Sequence, residues 1–399
     1  MSAPRDVDVV IAGGGIVGAA LAALLASRPA TRGLRIALVE PRPMPPPLAT
    51  EPLDLRVSAL SRAGEALCTE VGAWPQIVAR HACAYERMIV WDAAGSAGRP
   101  DTLVFDAAEV GEANLGRIVE NRSVAAALID RARAAGVTLM AAPLTGITLE
   151  ADVARVALAG RSLATGLIVA ADGAESPLRH LAGIGGLAVP YPQEAVVCHL
   201  AASQHHAGAA RQRFLPSGPL ALLPLADGRV SLVWSTSPAH AGELVAMDDA
   251  AFAAAVSEAS DRVLGGLTPT TPRLHFPLQR FNATSYTATR LALVGDAAHT
   301  VHPLAGQGVN QGLLDVLALA DALARALAAG EDIGDPFVLA RYGRARRAAN
   351  ALVGAALDGV WRLFTDDRAP VGRARRAGLG LVNRLGPLKR LFIERALGG

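Results

Sequence analysis

The sequence predicts an α/β protein in which a Rossmann-like domain is interrupted by a mostly antiparallel β-sheet domain and is followed by a C-terminal helical segment. A β-rich run at Val7–Ala12, a glycine turn and an Ala/Leu-rich helix at Ile16–Ser27 open a βαβ unit. Residues 190–281 consist of short apolar runs separated by Gly and Pro, which is typical of antiparallel sheet. A buried-strand pattern returns at Arg290–Val294 and leads to a helix predicted over Gly312–Ala329.

The return of the first pattern predicts a discontinuous first domain. The length of 399 residues suits two or three structural units. We assign residues 1–80, 105–180 and 282–335 to the first domain, residues 81–104 and 181–281 to the second, and residues 336–399 to the C-terminal segment.

Composition excludes several classes of protein. A hydrophobic fraction of 51% against 19% charged residues excludes a disordered or fibrous chain. A net charge of +2 gives no reason to expect a nucleic-acid partner. The three cysteines, Cys68, Cys83 and Cys198, lack CxxC spacing, which excludes a disulfide framework, a thiolate zinc site and a dithiol redox pair. We therefore expect a reducing, cytoplasmic compartment.

The apolar N-terminal run Val9–Ala26 carries no charge and could pass for a membrane anchor or a signal peptide. Two features argue against this interpretation. Asp6 and Asp8 stand where a signal peptide has positive charge, and the glycines at 13–15 interrupt the run with poor helix formers. We interpret it as strand, turn and helix.

The glycine turn fits the GxGxxG pattern of a dinucleotide site. Gly13 would make the tight turn, Gly15 would admit a pyrophosphate close to the backbone, and Gly18 would let the helix pack against the strand. Glu40 ends the next strand, about 20 residues further on, where a carboxylate can accept hydrogen bonds from ribose hydroxyls. Since Glu40 would repel a 2′-phosphate, the turn predicts FAD or NAD rather than NADP.

A second group of residues favours the flavin. Asp296 ends a predicted buried strand and can accept a hydrogen bond from a ribityl hydroxyl, which NAD lacks. Gly306 and Gly308 have no side chains, so backbone N–H groups can approach a flat ligand closely. At the start of a helix, such N–H groups stabilise negative charge on a reduced flavin.

Together these motifs resemble the class A flavin-dependent aromatic hydroxylases, which share the p-hydroxybenzoate hydroxylase fold. Within that group the chain is most similar to the ubiquinone-biosynthesis hydroxylases, whose signature HPxAGQGxNxGxxD is matched over residues 302–315. At one of the variable positions, 311, this chain has glutamine where leucine is more usual in the family. The resemblance covers nearly the whole chain, with further matches at residues 54–60 (DLRVSAL), 119–122 (VENR), 171–173 (ADG) and 295–296 (GD).

The resemblance implies that FAD is the cofactor, with the first domain holding it and the second holding the substrate. Arg56, Asn121 and Asp172 would lie near the cofactor. The alternatives are a surface arginine for Arg56, an ordinary helix start for Asn121, and a cap on a short helix for Asp172. The residues implied at the flavin are Gly13, Gly15, Gly18 and Glu40 for the ADP half, Asp296 for the ribityl chain, and Pro303, Gly306, Gln307, Gly308, Val309 and Asn310 around the isoalloxazine.

The implied activity is hydroxylation of the aromatic ring of a polyprenyl phenol in ubiquinone biosynthesis, with NAD(P)H and O₂, through a flavin C4a-hydroperoxide. No second GxGxxG is present, which favours a monooxygenase over a reductase. Two alternatives stay open: a hydroxylase or halogenase of another aromatic metabolite, and a non-catalytic flavin-binding subunit of a biosynthetic complex. We expect no nucleophile; the loop residues Pro303, Gly306, Gln307 and Gly308 carry the catalytic role by holding the flavin.

Three further expectations concern metals, the substrate and membranes. The DxxHxxH spacing of Asp296, His299 and His302 lies in a loop, so we expect no metal site. The apolar wall over the substrate is expected at residues 220–225 and 233–234.

The segment 368–399 is rich in Arg and Lys, has one acid, Glu394, and repeats apolar residues at helical spacing. This pattern is typical of a helix lying on a membrane surface, and the alternative is a helix that covers the flavin domain. The partners expected are therefore a lipid-soluble phenol, O₂, the inner face of the cell membrane, and either a second copy of the chain or a ubiquinone-biosynthesis complex.

Overall fold

The computed structural model describes residues 4–42, 51–100, 102–302 and 306–365, together with 372, 378, 381–383 and 389–390. Within these residues, no helix combines the length and apolar character needed to cross a membrane. The helices of this part of the chain are α1 (Ile16–Ser27), α2 (Arg62–Glu70), α3 (Trp74–Val78), α4 (Asn121–Ala134), α5 (Pro177–Leu181), α6 (Pro238–Ala246), α7 (Asp249–Ala259), α8 (Gln307–Ala328) and α9 (Pro336–Thr365).

The strands of the described residues form three sheets. They are β1 (Val7–Ala12), β2 (Ile36–Val39), β3 (Val57–Leu60), β4 (Cys83–Tyr85), β5 (Arg87–Asp92), β6 (Leu103–Asp106), β7 (Gly116–Glu120), β8 (Thr138–Met140), β9 (Leu144–Leu149), β10 (Ala154–Leu158), β11 (Arg161–Ala170), β12 (Gly186–Ala202), β13 (Ala209–Leu215), β14 (Gly218–Pro224), β15 (Val230–Thr236), β16 (Leu267–Pro269), β17 (Leu274–Ala283), β18 (Thr287–Ala288), β19 (Leu291–Leu293) and β20 (His299–Thr300).

The first sheet is built around β1, a buried apolar strand. Its order is β18-β19-β11-β1-β2-β8, with β10 and β9 added beside β11, and the pairs from β19 to β8 are parallel. Helix α1 packs between this sheet, α4 and α8. Nine of its twelve residues are buried, namely Ile16 and the run from Gly18 to Leu25, as expected of a helix that is apolar on all sides. The glycine turn therefore lies at the carboxyl end of the central strand, where such sheets bind ligands.

The second sheet has the order β20-β17-β12-β15-β14-β13-β5-β6, and only the β13–β5 pair within this path is parallel. Helices α6 and α7 cover one of its faces. A small antiparallel sheet, β3-β7-β4, joins the two larger sheets. Helix α9 contacts both, because the Tyr342 hydroxyl donates to the Leu293 carbonyl in the first sheet at 2.6 Å and the Trp361 indole donates to Gln193 in the second at 2.8 Å.

The predicted α/β architecture is confirmed, with one correction to an element. Helix α8 begins at Gln307 rather than at Gly312, directly after Gly306, which has a left-handed φ of 62°. The glycines at 308 and 312 delayed the predicted start because glycine is a poor helix former. The protein accepts glycine at 312 because that position packs tightly against α1.

The predicted domain boundaries stay a prediction, and the sheets deviate from them in two places. Strand β20 pairs with β17 and so belongs to the second sheet, although residues 299–300 fall in the range assigned to the first domain. Strand β6 continues the second sheet to Asp106, beyond residue 104.

Candidate active site

At two of the three motif positions in the turn, 13 and 18, packing within the protein requires glycine. Gly13 has a φ of +107°, and a methyl group on it would lie 2.2 Å from the Ala171 carbonyl oxygen. A methyl group on Gly18 would lie 2.0 Å from the Gly13 carbonyl oxygen. A methyl group on Gly15 would meet no described protein atom within 4 Å, and its φ of −68° is open to any residue. The space beside Gly15 is thus available to a ligand.

Glu40 lies directly beside this turn. Its carboxylate oxygens accept hydrogen bonds from the backbone N–H groups of Gly14 at 2.7 Å and Arg42 at 3.0 Å. Because β1 and β2 are parallel neighbours, their carboxyl ends bring the turn and the acid together. The structure therefore places Glu40 at the turn, and its contact with a ribose stays a prediction.

The two stretches that resemble flavin motifs meet at Val17, in the first turn of α1. A methyl group on Gly295 would lie 3.2 Å from Val17 Cγ1, and one on Gly312 would lie 2.6 Å from Val17 Cγ2. Both glycines therefore allow the 295–297 turn and helix α8 to pack closely on the start of α1. Residues almost three hundred positions apart border one region.

Asp296 is solvent-exposed at this junction, yet protein surrounds its carboxylate closely enough to raise its pKa by desolvation, which nearby His299 and Arg56 partly oppose. Such an exposed carboxylate is suited to accept a hydrogen bond from a hydroxyl ligand. Arg56 is also exposed, and its charge acts on Asp296. Arg56 is thus both a surface arginine and a neighbour of the predicted ribityl site.

Asn310 joins the start of α8 to β3 and to the residue after it through two side-chain hydrogen bonds. Its amide nitrogen donates to the Ala59 carbonyl at 2.8 Å and its amide oxygen accepts from the Ser61 N–H at 2.9 Å. A methyl group on Gly306 would lie 3.2 Å from Ala59 Cβ, so the loop approaches β3 closely. Asn310, expected at the isoalloxazine, is 5% exposed and uses both amide groups within the protein, so its observed contacts position the loop.

The remaining loop residues are only partly described. A methyl group on Gly308 would meet no described protein atom within 4 Å, so this position, like Gly15, has no packing need for glycine. Val309 is half-buried against the core of the first domain. Pro303 and the side chain of Gln307, both predicted to border the flavin, lie outside the described residues.

Asn121 and Asp172 differ in their contacts. The Asn121 N–H donates to the Arg56 carbonyl at 2.9 Å, whereas its side-chain oxygen is buried and has no partner within the described part of the chain. Asp172 accepts hydrogen bonds from the Ser176 hydroxyl and, at 3.1 Å, from the Leu178 N–H. These contacts are those of the helix-capping alternative, and burial raises the pKa of the Asp172 carboxyl.

Asp315 is the last residue of the signature match over residues 302–315, and the structure gives it a central position. It is fully buried and accepts hydrogen bonds from four groups: His299 Nε2 at 2.6 Å, Arg346 Nε at 2.7 Å, Gly295 N at 3.0 Å and Asn350 Nδ2 at 3.1 Å. Although burial raises the pKa of Asp315, its bonds to His299 and Arg346 outweigh this and hold the pKa below its ordinary value. Asp315 thus ties the turn beside Asp296 to α8 and α9.

This contact explains the DxxHxxH spacing without a metal. His299 Nε2 faces the Asp315 carboxylate. No group of three His, Cys, Asp or Glu side chains among the described residues could hold a metal ion. Asp315 is the one acid in the otherwise apolar stretch 312–320, and this pattern in the sequence could have identified it.

The predicted substrate wall requires a correction, because side chains alternate across a strand. Leu220, Leu222 and Trp234 pack against α6 and α7 on one face of the second sheet. Leu225 lies on the opposite side, in a cluster with Ala59 of β3. Only the alternate residues of the predicted stretches face the flavin motifs.

Most of the segment 368–399 lies outside the described residues. Of those described, Val382 packs against a cluster that contains Val90 and Phe214 of the second sheet, whereas Lys389 pairs at 2.5 Å with Glu109, which follows β6 and lies in the range assigned to the first domain. Leu381 is 57% exposed.

The donor set fits FAD. The turn offers a cradle beside Gly15 that a side chain would fill, backbone N–H groups at the start of α1, and a carboxylate beside it for a ribose. Gly295, which precedes Asp296, and Gly312 in α8 both pack on Val17, so Asp296 and the start of α8 are suited to the ribityl and isoalloxazine parts.

Comparison with known proteins agrees with this geometry. The FAD binding domain family matches residues 117–355. The ubiquinone hydroxylase UbiL of Rhodospirillum rubrum is 38% identical over 400 residues, covering 100% of this chain and 91% of UbiL. The 3-demethoxyubiquinol 3-hydroxylase of Escherichia coli K12 is 36% identical and 99% of each chain is covered.

A solved structure shows the same fold. The p-nitrophenol 4-monooxygenase PnpA of Pseudomonas putida DLL-E4 has a TM-score of 0.78 to this chain, with 98% of each chain covered, at 19% identity. At that identity the likeness concerns the fold alone. The family is shown by the matches in sequence, which confirm the resemblance carried by the motifs: the chain belongs to the ubiquinone-biosynthesis hydroxylases, a family of FAD-dependent monooxygenases.

Proposed function

We propose that this protein hydroxylates the aromatic ring of a polyprenyl phenol in ubiquinone biosynthesis, with NAD(P)H as reductant and O₂ as oxygen donor. One oxygen atom of O₂ enters the ring as a hydroxyl group, the other leaves as water, and NAD(P)H supplies the two electrons. Two relatives that match over almost their full lengths are named for ubiquinone or demethoxyubiquinol hydroxylation, which supports the substrate class.

The observation that carries the proposal is the contrast between Gly15 and its neighbours in the glycine turn. Gly13 and Gly18 are required by contacts inside the protein, but Gly15 is not. The N–H groups at the start of α1 are directed at the same space, where a diphosphate would receive them. Glu40 would then accept hydrogen bonds from the adenosine ribose.

The far half of the site would hold the redox ring. Asp296 would accept a hydrogen bond from the ribityl chain, and the N-terminus of α8, with its free backbone N–H groups, would stabilise negative charge on the ring. When bound, the flavin supplies the transfer of electrons from NAD(P)H and the activation of O₂. The protein supplies position and exclusion of water, the latter through the apolar inner face of the second sheet.

The glycines of the turn provide the test. Gly15→Ala should leave the urea unfolding curve of the FAD-free protein unchanged, because its methyl group meets no atom of the described residues within 4 Å, and should weaken FAD binding at least tenfold. Gly18→Ala is the matched control and should lose stability without FAD, since its methyl group meets backbone. FAD affinity is measured by quenching of flavin fluorescence. Unchanged FAD affinity in Gly15→Ala would refute the proposed diphosphate position.

The reaction itself is tested in a deletion strain. Quinone intermediates accumulate at the step that is missing, so their mass spectra identify the hydroxylation for which this chain is responsible. With purified protein, NAD(P)H oxidation should rise on addition of a prenylated phenol. If a panel of other phenols stimulates it equally, the substrate is a different aromatic metabolite; if none does, the chain is a non-catalytic flavin-binding subunit.

The proposal includes a location. The substrate is dissolved in the bilayer, and residues 368–399 combine basic and apolar residues, so we place the protein in the cytoplasm, docked at the inner face of the cell membrane. Assembly with a second copy or with other proteins of the pathway is part of this proposal. Co-sedimentation with membranes and size measurement by light scattering test it.

A further inference from the structure

His302 is a buried histidine that the proposed mechanism does not use. It follows β20 on the chain segment that leads to Gly306 and is 1% exposed. Its ring packs edge-on against the Tyr191 ring at a centroid distance of 4.8 Å. Tyr191 belongs to β12 and lies on the face of the second sheet that carries Val233, opposite to the face covered by α6 and α7.

The hydrogen bonds around Gln193 determine which ring nitrogen of His302 carries the proton. Gln193 Nε2 donates to the Ser217 carbonyl at 2.5 Å, and Gln193 Oε1 accepts from Trp361 Nε1 at 2.8 Å. An indole N–H can only donate, so Oε1 is correctly placed as the acceptor. His302 Nε2, 3.4 Å from the same oxygen, must therefore be the donor. In the neutral ring, Nδ1 is left as an unprotonated acceptor.

The ring is neutral near pH 7. Burial lowers the pKa of His302 to about 4, and the charge of Asp358 only partly offsets this effect. With so low a pKa, Nδ1 accepts hydrogen bonds but is a poor acceptor of a whole proton.

Nδ1 is buried and has no hydrogen-bond partner in the described part of the protein. The nearest hydroxyl, that of Tyr191, is engaged with Asp358, which also pairs with Arg280. A buried acceptor without a donor is unfavourable, and such groups are normally satisfied by protein, water or ligand. Among the described residues no donor reaches Nδ1, which leaves this nitrogen as a site for a donor on a ligand.

The surroundings specify the chemistry of that donor. The His302 ring packs against the Tyr191 ring, which in turn packs against the Trp361 ring, and these aromatic surroundings suit a flat apolar ring. The acid beside Tyr191, Asp358, is paired with Arg280 and is therefore not a free site for a cation. A neutral ring that bears a hydroxyl group fits both requirements.

We infer that His302 Nδ1 accepts the hydrogen bond of the aromatic hydroxyl group of the substrate and thereby selects a phenol over a ring that has only acceptors. Gln193, held by Trp361 and Ser217, is the positioning residue that keeps the proton of His302 on Nε2. The hydrogen bond polarises the O–H bond and places electron density on the ring that is to be hydroxylated. A quinone, with carbonyl oxygens only, offers Nδ1 no donor. The inference rests on the proposed function.

The test compares two small probes that differ in the donor alone: 2-prenylphenol and its methyl ether. With the FAD-loaded wild-type protein, we expect the phenol to bind about tenfold more tightly than the ether, the ratio that corresponds to one hydrogen bond of about 1.4 kcal/mol. Binding is measured by titration calorimetry. His302→Leu should bring the ratio close to one, and His302→Asn, whose amide oxygen can take the place of Nδ1, should restore part of it. His206→Asn, at another buried histidine, is the matched control and should keep the ratio.

A second measurement does not depend on any variant. In protein labelled with ¹⁵N-histidine, the spectrum should show His302 protonated at Nε2 and bare at Nδ1. The Nδ1 signal should move on addition of the phenol but not of the ether. A proton on Nδ1, or an equal phenol-to-ether ratio in wild type and His302→Leu, overturns the inference while prenylphenol-stimulated NAD(P)H oxidation still supports the proposed function. If neither probe binds nor stimulates oxidation, the proposed function falls and the inference falls with it.

Discussion

Removal of the Asp315 carboxylate should destabilise the protein more than removal of any exposed acid on the same helix. In the folded protein this carboxylate has no contact with water and receives hydrogen bonds from Gly295, His299, Arg346 and Asn350. Asp315→Ala leaves the Arg346 guanidinium without its charge partner and the Gly295 N–H without an acceptor.

The expected magnitude follows from that environment. Breaking a buried ion pair by removing one partner costs about 3–5 kcal/mol, because a charge is left buried without compensation. The unmet N–H groups add to this, but their contributions are not additive with the first. We therefore expect Asp315→Ala to lower the free energy of unfolding by about 4 kcal/mol. FAD affinity should fall as well, because Asp315 holds the turn that carries Asp296.

The assay is urea unfolding followed by tryptophan fluorescence, with Asp321→Ala as the matched control. Asp321 lies on the same helix and pairs with Arg28 at 2.7 Å, but its side chain is 53% exposed. Such exposed pairs contribute at most about 1 kcal/mol. Equal shifts in the two variants would show that burial of the Asp315 network does not have the energetic role given to it here.

The difference in stability between wild type and Asp315→Ala should also depend on pH in a defined way. The pKa of Asp315 is lowered in the folded state from 3.8, because the bonds to His299 and Arg346 outweigh the effect of burial. The carboxylate therefore stabilises the fold fully above that value, and its contribution is lost as the pH falls through the lower folded-state pKa. The stability difference between wild type and Asp315→Ala should be constant between about pH 5 and pH 8 and should shrink only below about pH 4.

Three further predictions concern the cofactor, a buried histidine and the membrane. Asp296→Ala should lower the ratio of flavin to protein absorbance after purification, since it removes an acceptor for the ribityl chain; a fully yellow, active variant would contradict its assigned role. Burial and, next, the charge of Arg229 lower the pKa of His199 from 6.5 to about 4, so the unfolded chain takes up a proton that the folded protein does not. Stability should therefore fall by about 1–2 kcal/mol between pH 7 and pH 5 on account of this residue, and His199→Leu should flatten that part of the urea-unfolding profile. Glutamine at positions 373, 375 and 376 should reduce sedimentation with vesicles of anionic lipid but not with neutral ones; identical sedimentation of variant and wild type would count against membrane docking.

Several site residues could be predicted from the sequence because their signals are local. Gly13 and Gly18 are glycines for reasons of backbone geometry that follow from a strand, a turn and a helix in close succession. Glu40 ends the adjacent parallel strand, so the topology of a βαβ unit suffices to bring it to the turn. Gly15 is informative for the opposite reason: no contact with the described residues requires glycine there, so the requirement points to a ligand.

Other parts of the site could not be read from spacing. Asp172 fits a cofactor motif and a helix cap equally well along the chain, and only the structure shows its bonds to the N-cap residue Ser176 and to Leu178 at the start of α5; its place beside the cofactor stays a prediction. The alternate facing of Leu222 and Leu225 depends on where α6 and α7 lie, which strand periodicity alone does not state.

The amino-acid sequence by itself determined the order of the elements, the nucleotide turn and the family, because these follow from short-range pattern and motif order. The tertiary structure decided which polar groups are partners. The four donors around Asp315 come from the turn after β19, from β20 and from α9, and the oxygen that sets the tautomer of His302 lies more than a hundred positions away. Hydrogen bonds and burial depend on distances in space, and chain spacing carries no information about contacts between elements that only folding brings together.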